Sequence, residues 1–257
     1  MAPIPQKADF PSSLSLSIVP PPDNASRSTN ILLILHGIGD TIAPFTSFAS
    51  ALRLPETTCI TLQAPTPLPF EIPGFHWGDD IVFEDAAAGS LDADPGFARS
   101  TKLLVRDVIF PVLIDKLGYR AREIMIYGFA QGASVGLSVA LEVARVARER
   151  GDGRDKELGG VVGVGGVLPL SAVKEDGRSE KAVTPVLITG GQGRESAVTE
   201  AGVRRTKEAF QYVEVVKWSR RGDAMPGNRE QMLPIMQFFA RRLRSRSGVP
   251  EGSVELS

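Results

Sequence analysis

Short apolar runs alternate with amphipathic stretches along most of this chain. Ile31-Leu-Leu-Ile-Leu is continuously apolar, the pattern of a strand covered on both faces. Leu14 to Val19 alternates Leu-Ser-Leu-Ser-Ile, and this period of two predicts a half-exposed antiparallel or edge strand. Further strands are expected over Cys59 to Leu62, Ile124 to Tyr127, the glycine-rich stretch Gly159 to Leu168, Thr184 to Ile188 and Tyr212 to Trp218. Between them, Pro44 to Leu54 places Phe45, Phe48, Ala49 and Leu52 on one helical face. Pro95 to Leu117 reads as a helix bent near Pro111, and helices are also expected over Gln131 to Arg150, Thr199 to Gln211 and Asn228 to Leu243. Strand and helix keep alternating, which predicts an α/β fold with a mostly parallel central sheet and helices on both faces.

Length fits one such unit: 257 residues bury a single large core, with one domain expected over residues 12–244 and disordered tails over 1–11 and 245–257. The Pro-rich stretch from Ala64 to Gly74 is read as a long connection, and Gly151 to Leu158 as a charged loop. A formal net charge of −1 with 23% charged residues gives no reason to expect a nucleic-acid or anionic-membrane partner. No apolar stretch reaches the roughly 18 residues of a membrane span. Met1 to Pro11 lacks a basic and apolar leader pattern, so a cytoplasmic location is the expectation. Cys59, the single cysteine, is expected to be a buried, inert thiol. With two histidines and one cysteine, zinc chemistry is not expected; no metal or cofactor is assigned, and a carboxylate-only metal site stays open.

Two turns carry the candidate chemistry. Leu35-His-Gly-Ile-Gly-Asp ends the most apolar strand and opens a loop whose glycines let backbone N–H groups approach a phosphate or an oxyanion. The phosphate version fits badly, because Ile42 stands at the third glycine of a dinucleotide fingerprint and the next strand ends in Gln63 rather than an acid. Taken alone, a bare glycine turn explains the segment equally well. Tyr127 to Gly132 reads Y-G-F-A-Q-G between a strand and a helix. That is the frame of the G-x-S-x-G nucleophile elbow with Ala130 where the serine would stand.

Together, H-G-x-G-D and G-F-x-Q-G about ninety residues later resemble the phospholipase, carboxylesterase and acyl-protein thioesterase family of α/β-hydrolases. The resemblance runs from about Ile31 to Leu243 and includes Gln63-Ala-Pro, Trp77 followed by Asp79, and a strand ending near Thr189-Gly-Gly. It implies the α/β-hydrolase fold, with an oxyanion hole from the backbone N–H groups of Ile38 and Gln131 and a ligand site that includes His36, Gly37, Gly39 and Trp77. His36 resembles the family's oxyanion-loop histidine, whose work is loop structure. The family's acid maps onto Arg194 or Glu195, and its histidine onto or near Ala224 in Arg221-Gly-Asp-Ala-Met-Pro. Only His36 and His76 exist, both N-terminal to the elbow, whereas the α/β-hydrolase order is nucleophile, acid, histidine. A single engineered serine-to-alanine change would have left that histidine in place.

Other groups have plain explanations beside the chemical ones. Ser134, one helical turn beyond Ala130, is expected to pack the helix. Asp79, Asp80 and Glu84 beside His76 and Trp77 form an acidic loop that is either solvated or a general acid-base cluster. Arg241, Arg242, Arg244 and Arg246 complement the dipole of the last helix or offer an acidic partner a patch. The leading expectation is a pseudo-hydrolase that binds an acyl or lipid ligand or a protein partner. The alternative is an ester or thioester hydrolase whose rearranged site draws His76, Asp79 and Asp80 to the elbow.

Overall fold

The computed structural model describes residues 2–22, 27–81, 83–85, 90–91, 94–151, 156–173 and 180–245, with side chains outside the description at 82–93. Seven strands form its main sheet: β1 (Leu16–Val19), β2 (Asn30–Leu35), β3 (Thr57–Leu62), β4 (Ile124–Phe129), β5 (Gly160–Val164), β6 (Val186–Gln192) and β7 (Val213–Arg221). Their order is β7-β6-β5-β4-β2-β3-β1. Only β1 runs antiparallel to its neighbour, at the edge that its period-two pattern predicted. The molecule has the α/β-hydrolase fold, with five helical segments packed about this sheet.

The apolar run of β2 shows how the layers form. Every residue of β2 is buried, and alternate side chains enter opposite cores. Ile31, Leu33 and Leu35 face the layer built by α3 (Gln131–Arg150) and by the helical stretch Leu104–Lys116 that continues α2 (Ala98–Leu103). Leu32 and Ile34 face the layer built by α1 (Ile42–Leu52) and α5 (Arg229–Arg242), with α4 (Glu200–Ala209) lying on the α3 side. Phe45 and Ala49 of α1 are buried as their helical spacing predicted. Gly160 explains part of the glycine content of β5, since a Cβ there would sit 2.8 Å from the Phe238 ring.

Three details differ from the sequence expectation. The helix beginning at Pro95 starts at Ala98 and, from Leu104 to Lys116, widens into π-type turns that contain Pro111. Proline removes a backbone donor, and wider turns accommodate the lost hydrogen bond without a break. The Ala64–Gly74 connection closes into a small ladder, Thr66–Pro67 against Phe75–His76.

The third difference is the N-terminal segment, expected to be a disordered tail. Ala2 and Pro3 pair with Ser28 and Arg27, the Tyr119 hydroxyl donates to the Pro3 carbonyl at 3.0 Å, and Phe10 is only 6% exposed in the α2/α3 core. One buried aromatic ring outweighs the Pro-rich composition that suggested mobility. Ser245, expected to open the other tail, donates to Glu56 at 2.7 Å; residues 246–257, Arg246 among them, lie outside the described residues.

Phe10→Ala should therefore destabilise the whole domain by about 3–5 kcal/mol, as truncation of a buried aromatic does. Urea unfolding followed by circular dichroism checks this; a loss within error would mean the segment is a tail after all.

Candidate functional site

The elbow keeps its geometry without a nucleophile. Ala130 has φ 49° and ψ −115°, a backbone conformation that L residues avoid and that costs of order 1–3 kcal/mol. Its N–H donates to the Val164 carbonyl at 2.8 Å, tying the turn to β5. Gly132 explains why the turn is so sharp: a Cβ there would lie 2.3 Å from the Leu35 carbonyl oxygen and 2.6 Å from that of His36. Gly128 is equally constrained, 2.3 Å from the Gly132 oxygen on the same construction. Ser134, as expected, packs the helix, donating to the Val167 carbonyl at 3.0 Å.

The turn after β2 is braced by a buried imidazole. His36 Nε2 accepts the Ala64 N–H at 3.0 Å and lies 2.7 Å from the Gln63 side-chain nitrogen, while Nδ1 lies 2.7 Å from the Gly37 carbonyl. These contacts fix a neutral ring that donates from Nδ1. Gln63 turns its oxygen to the Ile42 N–H at 3.2 Å, so one amide joins the histidine to the start of α1. Desolvation by burial holds His36 below the usual histidine range, against opposing contributions from the Gly37 carbonyl and Asp40. Gly37 in turn donates to Asp40 at 3.1 Å, and the exposed Gly39 donates to Phe75 at 2.9 Å.

Trp77 links the two turns. Its indole N–H donates to the His36 carbonyl at 2.8 Å, and its backbone N–H donates to the Gln131 side-chain oxygen at 3.1 Å. Among the described residues, the backbone N–H groups of Ile38 and Gln131 donate to no protein acceptor. Both residues are half-buried, and two unengaged amides beside an elbow are suited to a ligand oxygen.

His76, Asp79 and Asp80 do not join this centre. They line a separate cavity of 370 Å³ whose walls contain no elbow residue. Asp79 is engaged elsewhere: its carboxylate accepts the Ala98 and Arg99 N–H groups, each at 2.8 Å, capping the start of α2, and pairs with the Arg99 side chain. Glu84 lies in a short ladder, Phe83–Asp85 with Ser90–Leu91, and its side chain is outside the described residues. Among the described residues, no three His, Cys, Asp or Glu side chains gather as metal ligands would. Burial pushes the Cys59 thiol up to about 12, so it is inert at neutral pH.

Arg194 and Glu195, the candidate acid positions, are both exposed. Between them and Ala224, sequence reasoning missed the residue that organises the region. Asp223 reaches across from the end of β7 and accepts from the Gly191 N–H at 2.8 Å, the Ser196 hydroxyl at 3.0 Å and the Ala197 N–H at 2.7 Å. A carboxylate from one loop thus holds the other through three charge-assisted bonds. The signal was present in Gly222-Asp223-Ala224, but its partners are two backbone amides and a hydroxyl that no sequence pattern marks. The basic end of α5 is also committed to the fold: Arg241 holds Glu214 through two contacts at 2.8 and 2.7 Å, and Arg242 donates to the Gly159 carbonyl at 2.8 Å.

Comparison with known proteins gives this arrangement a context. Residues 17–227 match the family described as phospholipase/carboxylesterase. An uncharacterised hydrolase of Schizosaccharomyces pombe is 25% identical over 253 residues, covering 96% of each chain. Among solved structures, acyl-protein thioesterase 2 of Zea mays superposes with a TM-score of 0.66 at 19% identity, over 90% of this chain and 99% of that one. Esterase PE8 gives 0.68 at 17%, over the same shares.

Two outcomes are expected from the site's electrostatics. His36 and His76 are both held below the ordinary histidine value of 6.5, each chiefly by burial, with Arg99 adding to the effect at His76 and Asp80 opposing it. As pH falls through that value the unfolded chain takes up protons that the folded chain refuses. Stability is therefore complete above about pH 7 and falls below it, with a slope approaching about 1.4 kcal/mol per pH unit for each histidine. Urea midpoints measured from about pH 7.5 down to about pH 5 should show the decline, and His76→Gln should flatten it; a flat wild-type profile would contradict the burial argument. Asp223→Ala should cost about 1.5–3 kcal/mol and raise amide hydrogen exchange at Gly191 and Ala197, whereas unchanged exchange would show the loop to be held by other contacts.

Proposed function

This chain belongs to the phospholipase/carboxylesterase family of α/β-hydrolases, and we propose that within it the protein is a pseudo-hydrolase, a binder of an acyl-bearing ligand without serine-esterase turnover. The observation that carries the proposal is Ala130 at the strained apex of an intact elbow. A methyl group cannot attack a carbonyl, and no histidine follows it in the chain to activate any replacement. The acyl class of ligand comes from the family and from the two unengaged amides of Ile38 and Gln131, which suit the oxygen of an ester, thioester or carboxylate. Loss of the nucleophile and histidine leaves that binding element untouched, since backbone donors survive side-chain substitution.

The rearranged-site alternative gains no support from the geometry. His76 and the Asp79/Asp80 pair line a different cavity, and Asp79 caps α2. The exposed Glu195 lies beside Gly222, 3.6 Å from where a Cβ would be, and has no imidazole to orient.

With p-nitrophenyl butyrate as substrate, the wild type should hydrolyse at the rate of its Gln131→Ala control. Ala130→Ser alone should remain near that rate, while Ala130→Ser with Ala224→His should exceed the single variant by at least about tenfold. Efficient turnover by the wild type or the single variant would overturn the proposal. Native mass spectrometry of the purified full chain, before and after denaturation, should reveal a retained acyl-bearing molecule.

A further inference from the structure

The cavity that His76 shares with Asp80 has no part in the elbow, yet its wall is chemically organised. Phe70 stands at its rim with 87% of its surface exposed, the largest exposure among the described large apolar side chains. Phe70 and Glu71 have φ of 59° and 58°, consecutive left-handed residues between Pro69 and Pro73. A ring left in water forfeits its burial energy and keeps its face open to stacking against a ligand. Inside, His76 is 3% exposed and its Nδ1 has no hydrogen-bond partner among the described residues, a cost that native interiors rarely carry without a purpose.

The remaining wall decides what fits. Arg99 offers only donors, and its side chain is two-thirds exposed although it leans on Asp79. Asp80 offers only acceptors and commits one oxygen to the Ile81 N–H at 2.8 Å. An anion is drawn to Arg99 but repelled by Asp79 and Asp80, and an ammonium is drawn to the carboxylates but repelled by Arg99, so a simple ion of either sign meets opposing charges. Hydroxyl groups satisfy both kinds of wall at once, since each both donates and accepts. The volume of 370 Å³ lies at the small end of the usual range for small-molecule sites, about 300–1,000 Å³.

We propose that this cavity is a carbohydrate-binding site that takes one sugar ring, its hydroxyls on Arg99, Asp80 and Thr66 and its C–H face on Phe70. The site is independent of the acyl-binding proposal, because no elbow residue lines it. A physical link runs through Trp77, whose backbone follows His76 and bonds Gln131.

Saturation-transfer NMR and calorimetry on the full chain test this with D-glucose, D-galactose, D-mannose and N-acetyl-D-glucosamine. Inorganic phosphate and ethanolamine serve as anion and cation arms. At least one sugar should bind more tightly than either ion, with Phe70→Ala and Asp80→Asn each weakening it at least about tenfold at an unchanged urea midpoint. Ala130→Ser should leave sugar binding as it is, which separates this proposal from the elbow's. Absence of binding by all four sugars, sugar binding indifferent to both wall substitutions, or tighter binding of phosphate or ethanolamine would overturn it.

Discussion

The first turn of α3 is pressed against the end of β2 so closely that no side-chain carbon fits at Gly132, 2.3 Å from the Leu35 oxygen. Much of the site's architecture follows from that approach. It forces Ala130 into its strained conformation, because a strand that ends against its neighbour must reverse within one residue to start a helix there. It also occupies the space beside the His36 carbonyl, leaving that oxygen to be satisfied from the other side by the Trp77 indole. Trp77, fixed in this way, presents its own N–H to Gln131 and closes the circuit between the two turns. Backbone packing, rather than any reactive side chain, is what keeps the elbow standing.

This separation lets the turns hold their shape whatever side chain stands at the apex. The glycines at 128 and 132, the neutral His36 and the Gln63 amide all serve the shape of the turns, and each remains under the same steric and hydrogen-bonding demands whether or not residue 130 bears a hydroxyl. Removing the hydroxyl from the apex creates no buried cavity, since residue 130 is half-exposed. Fold and function are thus decided by different residues, and likeness in the first does not carry the second with it.

The same division governs what the sequence made visible. The strand Ile31–Leu35, the face of α1 and the elbow were legible because each is written in local apolar spacing or in glycines whose necessity is local. The absence of a late histidine needed only counting. Asp223 was not legible, since its partners are two amides and a hydroxyl some thirty residues away, brought near only by the parallel pairing of β6 and β7. The N-terminal segment misled for a related reason: its composition is that of a tail, and its order rests on Phe10 and on one Tyr119 hydroxyl bond made 116 residues along the chain. Asp79 was placed in the right loop, but a carboxylate capping a helix and a carboxylate awaiting a proton look identical until the helix is positioned.

Asp223 also bears on what an imidazole introduced at residue 224 could do. The Asp223 carboxylate stands next to residue 224 with both of its oxygens already engaged by the neighbouring loop. An imidazole restored at residue 224 would find an acid within its own loop, but enlisting it would release the segment that the acid secures. Asp223 is committed to the fold, and an imidazole beside it would gain an acid only at the expense of that clamp.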